Sequence, residues 1–294
     1  MKKYSGWVNT LEDQHKKTLE LHINTLENGA NLETLSESTL THLQFSNKLS
    51  KLITESQKFI LPLNASLYDF GDSDLEDALT DFVGDKLNLP FPKITLEFHM
   101  QLGDSVLVPI VLFVEEDQNS INLYPAFAMK DGTWRISPFL GYSIDRNTYI
   151  PSSQNSTALN KMIGNTSAAQ NFYLDLGHTA FIAIVQLLCA LSCTNVYISD
   201  HNIKPSALKQ QIRRNKSKTP FYTYKVLTVK PRDNTTPSYA LDANEDENIH
   251  SSKRFHLRRG HPRKLQSGIK IWVSPCTVGN KQIGIVEKSY KLTA

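Results

Sequence analysis

Cysteine is scarce in this chain. The 294 residues hold three, Cys189, Cys193 and Cys276. A small, odd number at these spacings is no disulfide framework and fits a reducing compartment. Cys189 and Cys193 stand four apart in an apolar run and read as buried helix residues. We expect no secretory leader either, because Met1-Lys2-Lys3-Tyr4 leads into no apolar core. Long apolar runs are lacking too. The longest, 181–191, is interrupted by Gln186 and falls far short of the roughly 20 residues a membrane span needs. The sequence has no glycine-rich phosphate loop, no nucleophile elbow, no zinc-ligand spacing and no internal repeat. These absences lead us to expect a soluble protein of the cytoplasm with no metal and no cofactor.

What is present is a globular composition with a divided charge. Hydrophobic residues make up 40% and charged residues 21%, too apolar for a disordered chain. The net charge of +3 hides an asymmetry. Residues 1–200 carry 13 Lys/Arg against 23 Asp/Glu, a net −10, and residues 201–294 carry 19 against 6, a net +13. Such a split implies two surfaces with different partners, or an acidic part docked on a basic one.

The pattern along the chain predicts an α+β fold. Residues 10–61 read as helical, with Leu11, Leu19, Ile23 and Leu26 and then Leu40, Leu43, Leu49, Leu52 and Ile53 near helical spacing. Asn28-Gly29-Ala30-Asn31 breaks the two helices. Residues 69–89 read as a solvated acidic helix, an alternative to a metal or basic-partner site. From 93 to 142 four apolar, β-branched runs predict an antiparallel meander, with Asp131-Gly132 as a hairpin turn. Pro109 and Pro125 predict edge strands or bulges. Residues 150–170 read as a polar loop. Residues 172–193 predict one long helix buried across the sheet. Strands follow at 195–199 and 221–229, with a basic helix or loop at 205–218 between them. Two more strands are expected at 270–274 and 283–291, around a Gly279-Asn280 turn. The expected organisation is an acidic α+β body over 1–231, a flexible linker over 232–252, and a basic nucleic-acid-binding arm with a β-hairpin over 253–294.

The richest chemistry lies in Lys253-Arg254-Phe255-His256-Leu257-Arg258-Arg259-Gly260-His261-Pro262-Arg263-Lys264. Arg presents planar, bidentate donors that match phosphate oxygens, and Lys adds point charge. Phe255 and Trp272 are candidates to stack on bases. Gly260-His261-Pro262 predicts an irregular backbone that fans the donors out. Lys204, Lys209, Arg213, Arg214, Lys216 and Lys218 extend the same track, or form a solvated charged face. His256 and His261 are the candidate catalytic pair if the protein cuts RNA by metal-free acid–base chemistry.

The run from Arg254 to His261, then Ser267-Gly268, Trp272-Val273-Ser274-Pro275 and Val278-Gly279, resembles the C-terminal signature of a family encoded by phages and other mobile elements. One branch of that family is the second type V-A anti-CRISPR class, which lowers production of an RNA-guided effector nuclease at the level of its message. The likeness covers about the last forty residues, with a looser one over 172–230. It implies a regulator in the cytoplasm of a bacterial host that binds RNA rather than DNA and suppresses a host or rival gene. The alternatives are a metal-independent ribonuclease and a protein-only inhibitor that docks on a host protein or the ribosome.

Overall fold

The computed structural model describes residues 6–27, 37–67, 87–103, 106–137, 140–148, 151–153, 167–202, 207–229, 254–258, 261–273, 276–278 and 280–285. Two helices come first, α1 (Trp7–Glu27) and α2 (Glu37–Glu55). Strands β1 (Gln57–Ile60), β2 (Lys93–Leu102), β3 (Val106–Glu116), β4 (Ser120–Ala128), β5 (Trp134–Arg135), β6 (Tyr142–Asp145) and β7 (Pro151–Ser153) follow. Helix α3 (Ser167–Leu191), strand β8 (Val196–Asn202), helix α4 (Ala207–Asn215) and strand β9 (Thr223–Val229) complete the body. The C-terminal part holds β10 (Arg254–Arg258), β11 (His261–Lys264), β12 (Lys270–Val273), β13 (Cys276–Val278) and β14 (Asn280–Ile285). The fold class is α+β, as the sequence pattern predicts.

The main sheet runs β7-β6-β4-β3-β2-β1-β9-β8, with β5 also paired to β4. The meander from β2 to β6 is antiparallel. Its Asp131-Gly132 turn is closed by Met129 N–H to Thr133 O at 2.8 Å, with Gly132 at φ +83. The sheet as a whole is mixed, because β1 runs parallel to both β2 and β9. This corrects the helical reading of 10–61: residues 57–60 are a central strand, not the end of a helix. The prolines correct another expectation. Strand β3 is central, yet Pro109 precedes the first β4-paired residue, Ile110. Pro125 falls on the flank of β4 between its β6 partners, ending at Leu123, and its β5 partners, starting at Phe127. Each proline therefore sits where a missing N–H costs no ladder bond on that flank, inside a strand that is otherwise interior.

Helices cover both faces. Alternation along β3 sends Ile110, Leu112 and Val114 into the core under α3, and Val111 and Phe113 into a second core under α1 and α2. On the α3 side they meet Leu176, Ala183, Ile184 and Leu187. On the other side they meet Val8, Leu11, Leu49, Leu52 and Ile53. The apolar spacing in the second half of α1 does not reach this core: Leu21 and Ile23 are exposed.

Helix α3 is the long buried helix expected across the sheet. The expectation that no stretch suffices for a membrane span does not hold on length alone. Gln170–Leu191 is long and apolar enough to cross a membrane, and 61% of its most apolar window is buried inside the fold.

The acidic segment 69–86, the loop residues 154–166 and the linker 232–252 lie outside the described residues. So do Lys204, Lys253, Arg259 and Gly260.

Candidate nucleic-acid interface

The C-terminal pairing differs from the expected hairpin around Gly279-Asn280. Strand β12 pairs antiparallel with β11, and β14 pairs parallel with β10, whose other neighbour is β13. The β11–β12 turn is closed by Leu265 N–H to Ile269 O and Gly268 N–H to Leu265 O, each 2.8 Å, with Gly268 at φ +80. The basic run is strand over 254–258 and 261–264, so the irregular backbone expected at Gly260-His261-Pro262 does not extend to His261 and Pro262, and Gly260 lies outside the described residues. The ring of Pro262 displaces no ladder bond at a two-stranded hairpin edge.

Register places the charges. His261 stands opposite Val273, Pro262 opposite Trp272, Arg263 opposite Ile271 and Lys264 opposite Lys270. Arg263 and Lys264 are exposed, and His261 and Lys270 are half-buried. Two ammonium-bearing residues directly opposite each other concentrate positive charge on this part of the hairpin. Lys270 is not among the candidates that the sequence singles out. The signal that finds it is the Gln266-Ser267-Gly268 turn, which folds it back onto Lys264.

The body holds this hairpin at the end of α3. Thr194 N–H donates to Lys270 O at 2.9 Å. The Asn195 side chain brackets the Trp272 backbone, donating to its O at 2.9 Å and accepting from its N–H at 2.6 Å. Trp272 is half-buried against the α3-side core. Its ring seats the hairpin, which leaves less of it open for base stacking than the sequence suggests.

The other sequence candidates divide. Arg254, Phe255, His256 and Arg258 lie on β10. His256 lies on β10 and His261 on β11, two strands that do not pair with each other among the described residues. Arg214 is exposed on α4, as is Lys209. Arg213 instead makes a two-pronged contact with Asp13 on α1, at 3.1 and 3.4 Å, and donates to Thr219 O at 2.7 Å. Its guanidinium also stacks over Phe221 at 5.0 Å. Lys218 reaches the same Asp13 carboxylate at 2.7 Å. Two of the upstream cations, Arg213 and Lys218, are therefore clamped internally by α1.

Beneath that clamp lies a buried polar network that sequence reading does not single out. Glu12, 3% exposed, accepts from the Thr219 and Tyr222 hydroxyls at 2.6 and 3.1 Å. Glu97 is fully buried and accepts from Val8 N–H at 2.8 Å and from the Tyr224 hydroxyl. It caps the N-terminus of α1 from a distant strand, where backbone N–H groups favour an acceptor. Burial pushes its carboxyl up to about 7, against the Tyr224 and Val8 hydrogen bonds that pull it down. Lys58 is buried beside it on β1, donates to Ser56 O at 2.8 Å and lies 4.1 Å over the Tyr222 ring. Burial pushes its amine down to about 8, opposed by Glu12 and Glu97. Perturbed groups of this kind mark functional sites in some proteins. Here the cluster is sealed, and its geometry is that of a helix dock.

Among the described residues, no three His, Cys, Asp or Glu side chains converge as a metal site requires. Compared with known proteins, the chain matches no family model, no curated protein and no solved structure.

Proposed function

We propose that the protein binds RNA through the β11–β12 hairpin and the adjoining strand β10. In this reading it is a phage or mobile-element regulator that suppresses expression of a host or rival gene in a bacterial cytoplasm. The observation that carries the binding role is the hairpin register, which sets Lys264 against Lys270 beside an exposed Arg263. The net +13 of residues 201–294 supports the same reading. The RNA preference and the regulatory role rest on the resemblance carried by residues Arg254 to Gly279. The α+β body serves as the scaffold that presents the hairpin and offers an acidic surface to a protein partner.

Labelled single-stranded RNA tests this. The intact chain shifts the strand without cutting it, and the affinity falls steeply with salt. Arg263→Ala with Lys264→Ala weakens binding and makes the salt dependence shallower, by about 0.7 in the log–log slope for each phosphate no longer neutralised. Fragments in place of shifted strands would replace the binder with a ribonuclease, and His256→Ala and His261→Ala would then each lower the rate about 100- to 10,000-fold. No interaction with RNA at any salt would leave the protein-only inhibitor.

A further inference from the structure

A cavity of about 460 Å³ opens on the α3 side of the sheet, where α3 meets the end of β2 and the 3-10 turn Leu63–Ala65. Its volume lies in the range of small-molecule sites. One stripe of α3 forms a wall: Asp175, His178, Thr179 and Ile182 follow at helical spacing. Met100 and Ile182 give it apolar surface. Asn64 and Gln101 give it amides whose orientation is fixed by their bonds. Asn64 Oδ1 accepts from Gln101 N–H at 2.7 Å, and Gln101 Nε2 donates to Gly103 O at 3.0 Å. This leaves Asn64 Nδ2 as a donor and Gln101 Oε1 as an acceptor on residues that line the cavity. The Asn64 backbone is held left-handed, at φ 55, and Ala65 follows at φ 53. A non-glycine pair of this kind persists only where its surroundings enforce it.

Among the described residues the lining holds a carboxylate, an imidazole, an amide donor and apolar surface from Met100 and Ile182, and no Lys or Arg. That set suits a neutral planar ring with two adjacent donors, and it disfavours a bare phosphate. Guanine has this edge. Its N1–H and N2–H groups donate together to one carboxylate, its O6 accepts an amide N–H, and its face stacks on an imidazole. From Thr179 to Leu191 the helix rises about 18 Å at 1.5 Å per residue, and the hairpin is anchored just beyond, at Thr194 and Asn195. A strand of a few nucleotides gripped there is long enough to reach the cavity.

We infer that this cavity is a guanine-binding site, with Asp175 reading the base edge and His178 stacking on it. The preference for a base over other planar ligands rests on the RNA reading above. As the base of a bound RNA, guanine there gives the hairpin's charge grip a sequence preference that phosphate contacts lack.

The test titrates the isotope-labelled full chain with guanosine, adenosine, cytidine and uridine, and then with single-stranded RNA. Guanosine shifts the His178 and Thr179 resonances, and the other three bind more weakly. Asp175→Asn, at an exposed position that carries no packing, weakens guanosine about tenfold or more, the loss expected for a charge-assisted pair. Thr179→Phe, which fills the cavity, abolishes the shifts. No shift with any nucleoside, equal shifts with all four, or an inert Asp175→Asn overturns the inference. RNA that moves the same resonances identifies a base of the strand as the occupant; RNA that binds the hairpin without moving them leaves the free nucleoside as the occupant. If RNA does not bind and the Arg263/Lys264 substitutions are silent, the RNA reading falls, and the nucleoside titration still decides the cavity.

Discussion

Gly177→Ala is expected to lower stability by about 2 kcal/mol or more, although alanine is the better helix former by about 1 kcal/mol. Gly177 lies on α3 where Tyr142 of β6 crosses it. A Cβ at this position would stand 2.5 Å from Tyr142 Cε1 and 2.7 Å from its Cζ. The tyrosine has nowhere to go. Its hydroxyl donates to Tyr173 O at 2.6 Å, and its ring stacks on Tyr173 at 4.7 Å. Burial pushes the phenol far above its usual range, so it stays a neutral donor. The absent side chain is what lets a strand residue lie on the helix backbone. Denaturant midpoints of a double-mutant cycle measure this. In a Tyr142→Leu background, which removes the ring, Gly177→Ala should become neutral or stabilising. Alanine that stabilises the parent protein would show that α3 and β6 do not meet this closely.

The elements with clean periodicity are legible in the sequence. The meander announces itself by alternation and by Asp131-Gly132, and α3 by an apolar run far longer than a strand needs. What stays hidden depends on distant partners. Gln57-Lys58-Phe59-Ile60 has no alternation to advertise a strand and follows a helix directly. It becomes a strand because two parallel neighbours, β2 and β9, are supplied from far along the chain. The C-terminal pairing is hidden for a related reason. The sequence offers Gly279-Asn280 as the turn, whereas the hairpin turns at Gly268 and is held by the body contacts of Thr194 and Asn195.

The candidate site is legible as composition but not as geometry. A cationic run can be counted, yet the count does not say which cations are committed. Arg213 and Lys218 are held by Asp13, some two hundred positions upstream, while Arg214 and Arg263 remain exposed. Strand β2 misleads in the opposite direction. Its alternation of Ile94, Leu96, Phe98 and Met100 with Thr95, Glu97 and His99 is the pattern of a half-exposed strand. Helix α1 covers the polar side, so Thr95 and Glu97 are fully buried and His99 meets the edge of Trp7 at 4.6 Å. On that side Glu97 is the complement of a helix N-terminus and of the Tyr224 hydroxyl, and Thr95 of the Ser56 hydroxyl, partners that sequence spacing does not reveal.

Glu97→Ala is expected to cost about 3–5 kcal/mol, whereas Glu97→Gln at about pH 8 should match or exceed the parent. Alanine leaves Val8 N–H and the Tyr224 hydroxyl buried without their acceptor. Glutamine keeps an oxygen for both and removes a charge that burial disfavours. Oε2 of Glu97 has no hydrogen-bond partner among the described residues, so the charged form is poorly compensated. The pH dependence separates the two effects. Burial raises the folded carboxyl to about 7 from 4.5. Between those values the folded state holds a proton that the unfolded chain has lost. Stability therefore falls as pH rises through this window, by at most about 1.4 kcal/mol per unit. Lys58 acts with the opposite sign at higher pH. Its amine is lowered to about 8 from 10.5. Between those values the unfolded chain holds the extra proton, and stability rises with pH. Urea unfolding of parent and Glu97→Gln proteins from about pH 5 to about pH 9 isolates the acid limb, because the other carboxylates are common to both. The difference between the two proteins should grow in favour of glutamine up to about pH 7 and then level off. A difference that stays constant across that range would mean that Glu97 titrates as an ordinary solvent-accessible carboxylate, and the buried dock between α1 and β2 would be wrong.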